Sequence, residues 1–417
     1  MAKLSRRSVM QGALAGAGTL AAARAAQAQQ SGPVRIGFCT CLSGALEIIG
    51  RDILQGAQLA TEYLNRNGGA GGRPIELVVR DTKSVPNESV AAVRELLSDG
   101  VKLIVGGLYG PEAFGQTPLV AEAGGIIVIQ GTQAMSVTHE QFTRNMFRTS
   151  ETSVESISGF AQLGVDKYAD VTDWVFFSID NGSNRQAYEV FQRSMTDHYA
   201  KIGKKINFID PIWTKLGAGD FRNQISAIMA SPAQGVYSLV YGADGITAYT
   251  QARALGLHNK IKVIFDSGNE IGFAKAMKRN IPPNMWVTTP WYNGLYTGNP
   301  VSDAIYKASV AKTGDALPQG WLQFGAAPIF ALAKGVETAG GSTETERVIT
   351  ALESGVTFQT LKGPARFRKE DHQMVADLNY MKYEPITEEP GFKIGETVRY
   401  DGAKFIEPAT PGKPYTF

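Results

Sequence analysis

Side chains that carry catalysis or hold metals are scarce in this chain. It has four histidines, His139, His198, His258 and His372, and no two stand at ligand spacing. Its two cysteines, Cys39 and Cys41, have no histidine nearby in sequence, so no metal site is expected. No Gly-x-Ser-x-Gly elbow, GxxxxGK[ST] loop or HExxH helix occurs, which removes the commonest hydrolase and nucleotide-hydrolysing frameworks. The glycine-rich stretch 68–72 follows a helical pattern and precedes a strand. A dinucleotide loop needs the reverse order, because the pyrophosphate rests on a helix N-terminus. No catalytic residue and no cofactor are therefore expected. Charge of one sign is lacking as well. The formal net charge is +2, and removal of Lys3, Arg6, Arg7 and Arg24 with residues 1–28 takes it to −2. A chain this close to neutral does not suggest nucleic acid or an anionic membrane as partner.

Long apolar runs are missing too. The run 12–23 is shorter than the roughly 20 residues that span a bilayer. It follows Lys3, Arg6 and Arg7 and precedes Ala26-Gln27-Ala28, the layout of a cleavable export signal. Ser5-Arg6-Arg7-Ser8-Val9-Met10 reads as a twin-arginine signal. Val9 and Met10 replace its usual Phe and Leu, which keeps ordinary secretion as the alternative. Residues 1–28 are thus expected to be a signal peptide, and the mature protein to be periplasmic.

About 390 remaining residues exceed what one core usually holds, so two domains are expected. Residues 34–38 read as a buried strand. Ser43-Gly44 breaks it, and Ile53, Ala57, Ala60 and Leu64 then recur at helical spacing, with Asp52 as the expected helix cap. The loop after this first strand, 42–49, is the expected first wall of a ligand crevice. Cys39 and Cys41 point to one strand face, with Cα atoms roughly 6.5 Å apart, near the upper limit for a disulfide. They read as two small buried apolar side chains. Strands 75–80, 103–106 and 126–129 alternate with helices 87–99 and 112–123. The alternation restarts with strands 174–179, 206–209, 236–241 and 263–265. This βαβ rhythm predicts an α/β fold with parallel-type sheets. From Gly363 onward the chain is polar and turn-rich, and short strands with an extended tail are expected.

The chain resembles the solute-binding proteins of ABC importers of the branched-chain amino acid type. The likeness rests on Val34-Arg35-Ile36-Gly37 with Ser43-Gly44, on Gly56-Ala57 and the stretch 65–72, and on Asp81, Gly106, Leu108 and Phe147-Arg148-Thr149. It continues in Gln251-Ala252-Arg253-Ala254-Leu255-Gly256-Leu257 and in Gly363-Pro364, Phe367-Arg368 and Asp371-His372-Gln373. The resemblance implies two Rossmann-like lobes joined by three crossovers, near 148–151, 288–291 and 358–364. Lobe 1 would then be 34–149 plus 289–358, and lobe 2 would be 150–288 plus 359–417. A small-molecule ligand, an amino acid or similar carboxylate, would bind between them and pass to an inner-membrane permease. No enzymatic step is implied, and a monomer is expected.

The resemblance also places the site. Donors for the ligand carboxylate would come from Tyr109-Gly110 and Thr132-Gln133-Ala134. The family usually carries Ser where Gly110 stands, so Thr132 or Tyr109 would compensate; a plain loop role is the alternative for Thr132. Asp266 or Glu270 would pair with an ammonium, with Asp244 a further candidate and a solvated loop acid the plainer reading of each. Asn184, in a loop without the relatives' Tyr-Gly, suggests a polar wall. Ser43 belongs to the first wall, and Ile49, Leu46 and Tyr109 would supply its apolar part. These departures leave aromatic carboxylates, amides or urea as alternative ligands, and ligand sensing without transport as an alternative role.

Overall fold

A computed structural model describes residues 32–416, and the expected signal segment 1–28 lies outside the described residues. Strands β1 (Val34–Thr40), β2 (Ile75–Asp81), β3 (Leu103–Gly106), β4 (Ile126–Ile129) and β5 (Met146–Arg148) form a parallel sheet in the order β2-β1-β3-β4-β5. Strands β6 (Asp173–Ile179), β7 (Asn207–Thr214), β8 (Gly235–Leu239), β9 (Val263–Asp266) and β10 (Met285–Thr288) form a second one, in the order β7-β6-β8-β9-β10. The two orders are the same when each is counted from its own first strand. A small antiparallel sheet joins β11 (Phe358–Thr360), β12 (Gly363–Phe367) and β13 (Met374–Val375). Finally β14 (Leu378–Pro385) and β15 (Phe392–Tyr400) extend the second sheet, antiparallel, at its β10 edge.

Helices cover both faces of each parallel sheet, which is why β3 (LIVG) and β4 (IIVI) are apolar throughout and buried at every residue. The first sheet has one core around Ile36, Phe38, Val105 and Phe147, and another around Cys39, Ile104, Ile127 and Ile129. The second has cores around Val175, Val236 and Ile264, and around Trp174, Phe176 and Phe265. The helices Glu47–Arg66 and Leu322–Thr338 press backbone to backbone. A Cβ at Gly56 would collide with the Leu322 carbonyl, and one at Gly325 with that of Ile53. Only glycine permits this approach.

The chain passes between the lobes at 149–152, 289–290 and 376–377. The third passage differs from the expected 358–364. Phe358, Leu361, Ala365, Phe367 and Met374 pack in the first lobe's core, so residues 359–375 do not side with the second lobe. The apolar alternation of this short sheet is too brief to reveal its partner. Arg148, at the start of the first passage, ties it to the stretch leading into the third and is fully buried. Its guanidinium donates to the Ala134 carbonyl (2.6 Å), Thr138 Oγ1 (2.7 Å) and Gln373 Oε1 (2.5 Å). Gln373 Nε2 donates in turn to the Ser150 carbonyl at 2.8 Å. The His372 ring stacks on Phe147 at 4.0 Å.

The opening helix begins earlier than its sequence suggests. It runs Glu47–Arg66 with Leu46 at its cap position and no capping side chain. Asp52 is therefore no cap but lies inside the helix, where burial pushes its carboxyl up to about 6, against the nearby Lys275 charge. Both thiols are free and buried. Burial raises the pKa of each, with the Glu112 charge adding to it, so neither is a ready nucleophile.

Candidate functional site

Every parallel strand ends at the same edge of its sheet, so the loops that follow form two facing rows. In the first lobe these loops are locked by their own helices. Gln116 Oε1 accepts from Gly107 N (2.8 Å), and the fully buried Glu112 accepts from Leu108 N (3.1 Å). Tyr109 stands at the N-cap position of the helix Gly110–Glu122 without a capping side-chain bond, and its hydroxyl donates to the Ser84 carbonyl at 3.1 Å. Burial, with the Glu112 charge, pushes that phenol up to about 12, so it stays protonated. Ser43 is tied into the same wall. Its hydroxyl donates to Asp81 Oδ2 at 2.6 Å, and its carbonyl accepts from Ser84 Oγ at 2.9 Å.

Gly110 is buried at the helix N-terminus, where its own N–H and the helix dipole favour an anion; Pro111 has no N–H, and Glu112 N donates to the Tyr109 carbonyl at 3.1 Å. A Cβ at Gly110 would lie 3.9 Å from Thr132 Oγ1, so these two candidates share one corner. Thr132 is buried, and its Oγ1 accepts from Ala134 N at 3.3 Å, which leaves the hydroxyl proton to donate. Ala134 contributes through its carbonyl to Arg148 rather than to the cleft. Gln133 Nε2 donates to Glu151 Oε1 at 3.3 Å. Ile49 sits half-buried on the opening helix and packs against the first core. Ile48 beside it is 77% exposed, and Leu216, just after β7 in the second lobe, is 68% exposed.

The second lobe's acids are not solvated; each is buried and already bonded. Asp266 Oδ1 accepts from Gly268 N and Asn269 N (both 2.8 Å), and its Oδ2 accepts from Tyr249 Oη (3.0 Å) and Asn269 Nδ2 (2.9 Å). Burial raises its pKa, with these donors acting in the other direction. Its visible work is to brace the loop 266–269. Asp244 Oδ2 accepts from Gly217 N at 2.6 Å, joining the loops after β7 and β8. Asn184 turns inward and donates to the Ile179 carbonyl at 2.9 Å.

Glu270 reaches across the lobes. It caps the helix Ile271–Met277, accepts from Thr289 Oγ1, and accepts from Gly320 N at 2.9 Å. Burial pushes it up to about 7 against those donors. Beside it lies a pocket of about 20 Å³, lined by Gln133 and Glu151 on one side, Ser267, Asn269 and Glu270 on the other, and Trp321 and Phe324. That volume holds a water or one small polar group. The structure thus brings Gly110 to Thr132 and Gln133 to Glu270, while Asn184, Asp244 and Asp266 are spent within their own lobe. Glu151, Trp321 and Phe324 were not singled out from the sequence. The proximity of Glu151 to a crossover was the one available signal for it.

The sequence model of the family described as periplasmic binding protein matches residues 33–388. The chain belongs to that family. Among relatives, the leucine-, isoleucine-, valine-, threonine- and alanine-binding protein of Pseudomonas aeruginosa is 26% identical over 340 residues, which is 80% of this chain and 85% of that one. An amino acid ABC transporter substrate-binding protein from Pseudomonas fluorescens superposes with a TM-score of 0.77 at 18% identity, covering 90% of this chain and 98% of the other. A Rhodopseudomonas palustris solute-binding protein of an ABC transporter, solved with 3,4-dihydroxybenzoic acid, gives 0.73 at 17% identity, covering 89% and 98%. The fold is that of a type I periplasmic binding protein. No helix among the described residues is long and apolar enough to cross a membrane.

Proposed function

We propose that this periplasmic binding protein captures a small carboxylate between its lobes, foremost an aliphatic amino acid, and hands it to an inner-membrane permease. The observation that carries the reading is the corner where the Gly110–Glu122 helix N-terminus meets the Thr132 hydroxyl, an anion site made of neutral donors. The kinship to an amino-acid-binding relative over four-fifths of the chain supports the amino acid. Hinge rotation would close the second row of loops over the ligand. On this reading residues 1–28 are the export signal and the mature chain works as a monomer.

A second ligand class has its own support. Asp266 has both oxygens filled from within its loop, and Asp244 is bonded to Gly217. A carboxylate without an ammonium, such as a hydroxybenzoate, would not need either acid.

A thermal-shift screen of aliphatic amino acids, benzoates and amides separates the two. At about a hundredfold over Kd the correct ligand stabilises the folded chain by about 2.7 kcal/mol, seen as a rise in Tm. Thr132→Val should abolish most of that rise at the same ligand concentration. A flat response to all classes would refute the cleft as a carboxylate site.

A further inference from the structure

The family match covers residues 33–388, and the segment after β15 returns to the hinge. After β15 the segment 401–416 starts on the second lobe. The Phe405 ring packs against Tyr400 at 5.5 Å and lies parallel to His198 at 6.2 Å. It then crosses the first passage. Glu407 is buried, its Oε2 accepting from Thr152 Oγ1 at 2.8 Å and its carbonyl from Arg368 Nη1 at 2.6 Å. It finishes on the first lobe at His139, which is fully buried. Thr410 Oγ1 meets His139 Nδ1 at 2.6 Å, Gly412 N donates to the His139 carbonyl at 2.7 Å, and the Tyr415 ring packs on the imidazole at 4.9 Å. Glu407 Oε1 closes the circuit to His139 Nε2 at 3.4 Å.

We propose that residues 401–416 are a strap across the back of the hinge, a fourth connection between the lobes that sets how readily they rotate. The three covalent passages leave rotation free, because a few backbone dihedrals absorb it. A segment bonded to both bodies does not: rotation must either carry His139 away from Thr410 and Gly412 or shear Glu407 from Thr152. The strap is made in the interlobe arrangement seen here, in which Gly320 N also donates to Glu270 (2.9 Å) and Gly272 N to Gln319 Oε1 (2.9 Å) across the lobes, and it favours that arrangement. Removing it raises the share of other arrangements in the empty protein.

The test needs no ligand, so its outcome is independent of what the cleft binds. Spin labels are placed at Glu76→Cys in the first lobe and Lys201→Cys in the second, both exposed sites. The native Cys39 and Cys41 are buried and are not expected to label. Interlobe distances are then measured in the full mature chain. The parent should give one dominant distance. Thr410→Val with His139→Ala, and separately a chain stopped after Lys404, should broaden it or add a second, with the ratio of arrangements changed about tenfold, the weight of one or two lost hydrogen bonds. Tyr415→Ala is the milder variant should those unfold, and it should move the distribution in the same direction. Cooperative unfolding of each variant is checked by urea titration. A distribution unchanged from the parent in the folded variants would overturn the proposal.

Discussion

Gly110 stands where the family resemblance implies a serine. Nothing but the Phe114 ring, 3.3 Å away, and Thr132 Oγ1 stands near the Cβ it lacks, and its φ is not in the left-handed region. Gly110→Ser should therefore fold, with the ring giving slightly, and place a second hydroxyl in the anion corner. If the ligand is a carboxylate, its affinity should rise by about 1.5 kcal/mol, roughly tenfold, by isothermal titration. Glu270 offers a test of another kind. Its carboxyl, raised to about 7 by burial, has an unfolded value of about 4.3. Between those values the folded chain keeps a proton that the unfolded chain has released. Its contribution is complete below the unfolded value and is lost as pH rises through 7, at most about 4 kcal/mol. Asp52, raised to about 6, acts with the same sign. The urea midpoint should thus fall between about pH 5 and about pH 8, and Glu270→Gln should flatten part of that fall. An unchanged slope would show that Glu270 does not titrate there.

At the scale of elements, the strand–helix alternation was legible because each parallel strand is a short apolar run between amphipathic helices. The start of the first long helix was not. Leu46 caps nothing, so no sequence signal marks the turn before Asp52. The site divides in the same way. That Gly110 and Thr132 follow β3 and β4 is readable from strand order, while their role as ligand donors is what the family resemblance implies. What Asp244, Asp266 and Glu270 do depended on Gly217, Tyr249 and Gly320, 27, 17 and 50 residues away. No local pattern announces partners at such distances. The packing of the helices Glu47–Arg66 and Leu322–Thr338 makes a further prediction. Gly325→Ala would drive a methyl into the Ile53 carbonyl and should cost roughly 1–3 kcal/mol, read from the urea midpoint. The backbones would have to separate, and Gly56 would lose its contact with Leu322.

For the whole molecule, the same strand order twice over gives two rows of loops, and on the proposed function their approach completes the site. Ligand should therefore shrink the scattering envelope as well as raise Tm, whereas a rigid single-lobed binder would show the second effect without the first. Ile48 and Leu216 gain a meaning from this. They are large apolar side chains left exposed, one on each lobe. If the lobes rotate as proposed, the distance between them would change with filling, and a membrane partner gripping both at once would be measuring occupancy with a pair of calipers, without ever touching what is inside.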